Sequence, residues 1–219
     1  MKTKLGLTFL LSLFLCVVFC FAEPTNFTAT MSMMGMENAY ARDGKKIRSE
    51  IQMGEGMSKM VSIVRLDVKK NIMLSLEKKL YFEDVWKQNK RMHDPSLLAS
   101  DTNYKVEKVK LGSETIDKHP CIKYTMTVTN KQTGEKHTGT IWEATDLQNL
   151  LIKYESADES GRKFAYQLKN VKLNAATPDM FEVPAGYKQA NSMMELMGMG
   201  GMGMPGMRMQ KSNKADSEE

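Results

Sequence analysis

Only three of the 219 residues are cysteine, and two of them, Cys16 and Cys20, lie within the first 22 positions. Once that segment is removed, Cys121 is the single thiol, so no internal disulfide can staple the chain. Histidine is as scarce, at three. His93, His119 and His137 have no second His or Cys at ligand spacing apart from His119-Pro120-Cys121. Those two potential ligands fall short of the four that a structural zinc needs. The plainer reading is that Pro120 opens a strand and Cys121 is a small buried residue. His-Glu-x-x-His, Gly-x-Ser-x-Gly and Cys-x-x-Cys are all missing, which removes the commoner hydrolase and redox motifs. Gly198-Met199-Gly200-Gly201-Met202-Gly203 fits the spacing of a dinucleotide loop, but no strand precedes it and no long helix follows. Nothing sets a nucleophile beside a base, so no catalytic residue and no cofactor is assigned, and the protein is expected not to be an enzyme.

Strong charge is also missing. The formal net charge is +5, falling to +3 without the two lysines of the first 22 residues. Basic and acidic residues alternate, which gives an ordinary solvated surface and leaves nucleic acid out as a partner. Long apolar runs are limited to one, Leu5 to Phe21. With Lys2 and Lys4 before it and Cys20-Phe21-Ala22 at its end, that run reads as a secretory signal peptide cleaved near Ala22. Leu15 and Phe19 stand where a lipoprotein signal needs a small residue, so a lipid anchor at Cys16 or Cys20 is not expected. No second run is long enough to span a bilayer. A periplasmic or secreted protein follows, with residues 1–22 as leader, 23–190 as a folded domain and 191–219 as a tail. Asn26-Phe27-Thr28 fits a glycosylation acceptor, which matters only in a host that uses such sites.

What the chain does have is alternation. Phe27, Ala29, Met31 and Met33 interleave with polar residues. Arg48–Met53, Met60–Asp67 and Asn71–Glu77 read as further strands. Leu80–Arg91 is less regular, with room for one short helix around Val85 and Trp86. Later, Ile122, Tyr124, Met126 and Val128 alternate with Lys123, Thr125, Thr127 and Thr129. His137–Glu143 returns from a turn at Asn130–Gly134, and Leu150–Tyr154 and Phe164–Leu168 flank a hairpin around Asp158–Gly161. Such short connections predict eight to ten antiparallel strands and little helix. The fold class is therefore mainly β. One apolar face must be covered, either by a second sheet or by one sheet curling into a half-barrel around a groove, and the meander order favours the half-barrel.

The chain holds 20 methionines, and the stretch from Met193 to Met209 is a Met/Gly tail. Thioether sulfur is a soft, neutral ligand that prefers Cu(I) and Ag(I). Met199, Met202, Met204, Met207 and Met209 are one candidate set for such an ion. Met31, Met33, Met34 and Met36 form a second cluster. Adaptable apolar packing is the competing use of both.

Three stretches carry a family resemblance: Gly112-Ser113-Glu114-Thr115-Ile116-Asp117-Lys118-His119-Pro120-Cys121-Ile122-Lys123-Tyr124, then Trp142-Glu143-Ala144-Thr145-Asp146-Leu147 with Ile152-Lys153, then Met180-Phe181-Glu182-Val183-Pro184-Ala185-Gly186-Tyr187. Together they resemble a small secreted bacterial family of unknown function (DUF4412-like), which is similar in pattern to the outer-membrane lipoprotein carrier (LolA/LolB-like) superfamily. The resemblance implies a curved antiparallel half-barrel whose concave face holds acyl chains, with a lipid or lipidated protein as partner. It transfers no site residue. From the alternation, the concave residues are Tyr124, Met126, Trp142, Tyr154, Phe164 and Tyr166, with Ile141 competing with Trp142 for the inward position. The carriers close their groove with helices. Here the tail from Met193 onward is the segment available to plug it. The remaining alternative use of the sheet is an edge that pairs with another protein.

Overall fold

Period-two alternation becomes pleated backbone along almost the whole described chain. The computed structural model describes residues 24–33, 35–52, 59–86, 103–157 and 160–198. The leader and the methionines Met199, Met202, Met204, Met207 and Met209 lie outside those residues. In chain order the strands are β1 (Asn26–Met33), β2 (Met36–Asp43), β3 (Lys46–Gln52), β4 (Lys59–Arg65), β5 (Lys70–Ser75), β6 (Leu80–Val85), β7 (Tyr104–Ile116), β8 (His119–Asn130), β9 (Lys136–Ala144), β10 (Leu150–Ala157), β11 (Lys163–Leu173) and β12 (Lys188–Gln189). They form one open, curved sheet in the order β12-β6-β5-β4-β3-β2-β1-β11-β10-β9-β8-β7.

Two meanders are stitched together. β1 to β6 walks outward in one direction, and β7 to β11 walks back until β11 pairs antiparallel with the free side of β1. After β11 the chain crosses to the far edge, where β12 runs parallel to β6. Among the described residues helix is confined to the turns Thr145–Leu147 and Pro178–Phe181 and a short helix at Met193–Met197. The expected half-barrel class is therefore what forms, as a single layer rather than two stacked sheets.

Three expectations change. The described part of the irregular Leu80–Arg91 stretch is strand β6 through Val85 rather than a helix: Tyr81 opposes Leu74 and Phe82 opposes Met73, so tertiary pairing decides it, and residues 87–91 lie outside the described residues. Strands β2 and β7 also join the sheet, raising the count above the expected range. Their sequences hide the period because both carry charged or small residues on the two faces, as in Met36-Glu37-Asn38-Ala39. Finally, composition places a boundary near residue 190, yet the chain stays packed on the sheet through Met197.

The β7–β8 hairpin closes on Asp117 and Lys118, both with positive φ, at 47° and 72°. A two-residue turn of this hand favours Asn-Gly, because a Cβ in the left-handed region costs about 1–2 kcal/mol. Lys118→Gly is expected to stabilise the fold by about 0.5–1 kcal/mol, read as a rise of about 1–4 °C in Tm.

Candidate functional site

Residues opposed across an antiparallel pair share a face, so the ladders decide which side chains meet. Met33 opposes Tyr166, Tyr166 opposes Tyr154, Tyr154 opposes Ile141, and Ile141 opposes Tyr124. One step along, Phe164 opposes Ser156, Ser156 opposes Gly139, and Gly139 opposes Met126. Tyr124, Met126, Tyr154, Phe164 and Tyr166 thus lie on one face of four consecutive strands. The rings of Tyr154, Phe164 and Tyr166 form a triangle with centroids 5.9–6.4 Å apart, the tilted and edge-on spacing that aromatic quadrupoles favour. Met126, Ile141, Tyr154 and Tyr166 are buried and make a floor. Tyr124 and Phe164 are half-buried and form its rim.

Trp142 does not join them. It opposes Lys123 on one side and Lys153 on the other, so it points to the opposite face and Ile141 takes the inward position. There the indole lies between two ammonium groups, with Lys123 Nζ 4.8 Å and Lys153 Nζ 4.3 Å from its ring centre. Its Nε1–H donates to the Glu114 carboxylate. That hydrogen bond, followed by the nearby Lys123 charge, holds the Glu114 carboxyl below its ordinary pKa. Alternation alone could not choose between two adjacent large apolar residues. The register of β9 against its two neighbours, Tyr124 and Tyr154 both opposing Ile141, sets the phase.

Two features of the floor were not read from the sequence. Gly139 lies under Tyr154: a Cβ there would fall inside that ring and 2.9 Å from the Glu155 carbonyl oxygen. A glycine inside an alternating strand is the signal that could have flagged this close approach. At the β7 end, Lys108 opposes Met126 and Lys110 opposes Tyr124. Lys108 pairs with Glu143 and lies 6.0 Å from the Tyr124 ring centre. The apolar strip therefore ends at two ammonium groups.

The other half of the same face, on β4 to β6, is covered by the chain's own C-terminal segment. This strap is tied down at its start, Ala176, by Asn26 of β1, whose amide nitrogen donates to the Ala176 carbonyl at 2.9 Å and whose amide oxygen accepts from the Ala176 N–H at 3.0 Å. An amide so engaged is a poor glycan acceptor. The strap first lies on the opposite face, where fully buried Phe181 packs with Ala41, Val61, Ile63, Ile72 and Leu74. Arg48 donates to the Met180 carbonyl at 3.0 Å, and Arg65 reaches Glu182 at 2.7 Å. The strap then rounds the β6 edge as β12, and helix Met193–Met197 lays Leu196 against Met60, Met73, Leu80 and Phe82. Tyr40 opposes Ser49, Ser49 opposes Ser62, Ser62 opposes Met73 and Met73 opposes Phe82, which puts this seat on the aromatic face. Ser192 caps the helix by accepting from the Glu195 N–H, and Gly198 ends it at φ 81°.

Around Cys121 a cavity of about 270 Å³ opens between the strand β7 residues Ser113–Thr115, the start of β8 and Thr145. His119 Nδ1 lies 2.8 Å from Asp146 Oδ2. The Cys121 thiol donates to the His119 carbonyl rather than to its ring, and burial pushes the thiol pKa up. A protonated thiol turned from the imidazole is not an activated nucleophile. Among the described residues no group of three His, Cys, Asp or Glu side chains is placed to hold a metal. No described helix is long and apolar enough to cross a membrane.

No protein-family model and no curated protein matches the chain. Several solved structures align with most of the chain at low identity. An uncharacterised conserved protein from Thermus thermophilus aligns with a TM-score of 0.48 at 9% identity, over 76% of this chain and 90% of that one. A LolA superfamily protein from Nitrosomonas europaea gives 0.33 at 10% identity over 72% and 88%. A DUF1329 family protein from Desulfovibrio piger gives 0.26 at 11% over 72% and 88%. The likeness to the LolA superfamily protein and to the DUF1329 protein is distant, and none of the three is named as a DUF4412 protein.

Proposed function

We propose that this is an exported, non-enzymatic binding protein whose aromatic face takes the hydrocarbon chain of a lipid or of a lipidated protein. The observation that carries the reading is the ladder that brings Tyr124, Met126, Tyr154, Phe164 and Tyr166 to one face, with Ile141 in place of Trp142. An apolar strip wants an apolar occupant. The ammonium groups of Lys108 and Lys110 at its β7 end suit the polar head of an amphiphile. The floor residues set the shape, and the half-buried rim residues Tyr124 and Phe164 are those a chain would touch.

The test is a naphthylamine dye that fluoresces in apolar surroundings, displaced by a lysophospholipid. Phe164→Asp places a charge on the strip and is expected to weaken dye and lipid together by at least tenfold, about 1.4 kcal/mol or more. Equal affinity in parent and variant would remove the site. Native mass spectrometry of protein taken from its own envelope supplies the second arm: a co-purifying lipid supports the reading, and a clean apo mass counts against it.

A further inference from the structure

We propose that the β1–β2 hairpin is a soft-metal site in which the thioethers of Met31, Met33 and Met36 hold one Cu(I) or Ag(I) ion. Met33 and Met36 oppose each other directly where the hairpin closes, and Met31 shares their face two residues back, opposite Asn38. Direct partners bring Cβ atoms to about 4.5–5.5 Å, and the next residue on the face is about 7 Å along the strand. Three flexible thioethers converge readily over such distances.

The surroundings select for a soft ion. The acid nearest the turn, Glu37, opposes Ser32 and so points to the other face, where Lys169 Nζ holds it at 2.6 Å. Asn38 adds a neutral amide. Calcium and magnesium favour carboxylate oxygens, and the side chains on this face of the hairpin, Met36, Asn38 and Tyr40 opposite Met33, Met31 and Ala29, include none. The described residues hold no His, Cys, Asp or Glu cluster to compete for borderline metals. Cys121, the thiol that would outrank a thioether, is buried on another part of the sheet.

Packing alone accounts less well for these side chains. Met31 and Met33 are half-buried against the main core, whereas Met36 is 42% exposed. A strand end with no burial to gain is better served by a β-branched residue. With 20 methionines in 219 residues, a six-residue stretch should hold about half of one, and Met31–Met36 holds four. Met34 lies outside the described residues and forms no part of the site. Gly35, at φ 80°, gives the turn its left-handed position and leaves the space beside it open.

The experiment uses the full mature chain, a hairpin variant (M31L, M33L and M36L together), M36L alone, and a tail variant (M199L, M202L, M204L, M207L and M209L together). Leucine keeps the volume and removes the sulfur. Anaerobic Cu(I) is titrated in competition with bicinchoninate, and Ag(I) is followed by the methyl resonances of ¹³C-methyl-methionine. The expected result is one ion held by the parent and by the tail variant alike. The hairpin variant should weaken it at least tenfold, M36L should weaken it measurably, and three methyl signals should move together with Ag(I). M36L changes an exposed residue, so it tests the site even if the triple variant folds poorly. Affinity within twofold of the parent in M36L and the hairpin variant, loss in the tail variant alone, or no binding by the parent would each overturn the site.

Discussion

Phe181→Ala should lower the unfolding free energy by about 3–5 kcal/mol. The ring is fully buried against five apolar residues of β2, β4 and β5. Its effect should reach further than the cavity. Phe181 fixes the strap to the opposite face, and the strap then supplies β12 and the helix that seats Leu196 on the aromatic face. Urea denaturation should therefore show a lower midpoint. Hydrogen exchange of the Ala190 amide, which donates to the Tyr81 carbonyl at 2.7 Å, should accelerate more than exchange in β8 or β9. A variant that loses stability evenly across the sheet would show that the strap is not a separate clamp. Leu196→Ala provides the contrast: its loss should free the helix while leaving Phe181 in place.

Gly139→Ala is expected to destabilise by about 1–3 kcal/mol, because the new methyl must displace the Tyr154 ring from a packed floor. The displaced ring would disturb Phe164 and Tyr166, its partners in the aromatic triangle. Dye affinity should fall along with stability. A double-mutant cycle with Tyr154→Leu isolates the contact: if the clash is the cause, the two changes together should cost less than their sum by about 0.5–3 kcal/mol. Strict additivity would place the effect of Gly139 elsewhere.

The sheet was legible because its chemistry is periodic. Ile122 to Val128, Leu150 to Tyr154 and Phe164 to Leu168 each alternate over a span bounded by turn residues, and such segments leave few choices of phase. Five of the six inward residues chosen that way share a face. The sixth shows the limit. Ile141 and Trp142 are both large, apolar and almost fully buried, so hydropathy treats them alike. As neighbours in one strand they must face opposite ways, and the register with β8, where Ile141 opposes Tyr124, decides which of them turns inward. Strands β2 and β7 escaped for another reason. An edge strand such as β7 packs one side against β8 and leaves Val109 and Leu111 in solvent at 64% and 56% exposure, so it has no reason to segregate its residues cleanly. The crossing of the strap from one face to the other has no local signature either. It rests on contacts between residues as distant as Asn26 and Ala176, which only the completed sheet brings together.

The pairing of β1 with β11 has a kinetic consequence. Met33 must find Tyr166 across well over a hundred intervening positions, a loop whose closure costs about 4 kcal/mol in chain entropy. Non-local pairing of that kind places folding on the millisecond-to-second scale. Until residue 163 has emerged, the first meander keeps an open seam along β1. The molecule therefore acquires its continuous surface late and at one join, which makes the β1–β11 seam the step that a holding chaperone would have to wait for.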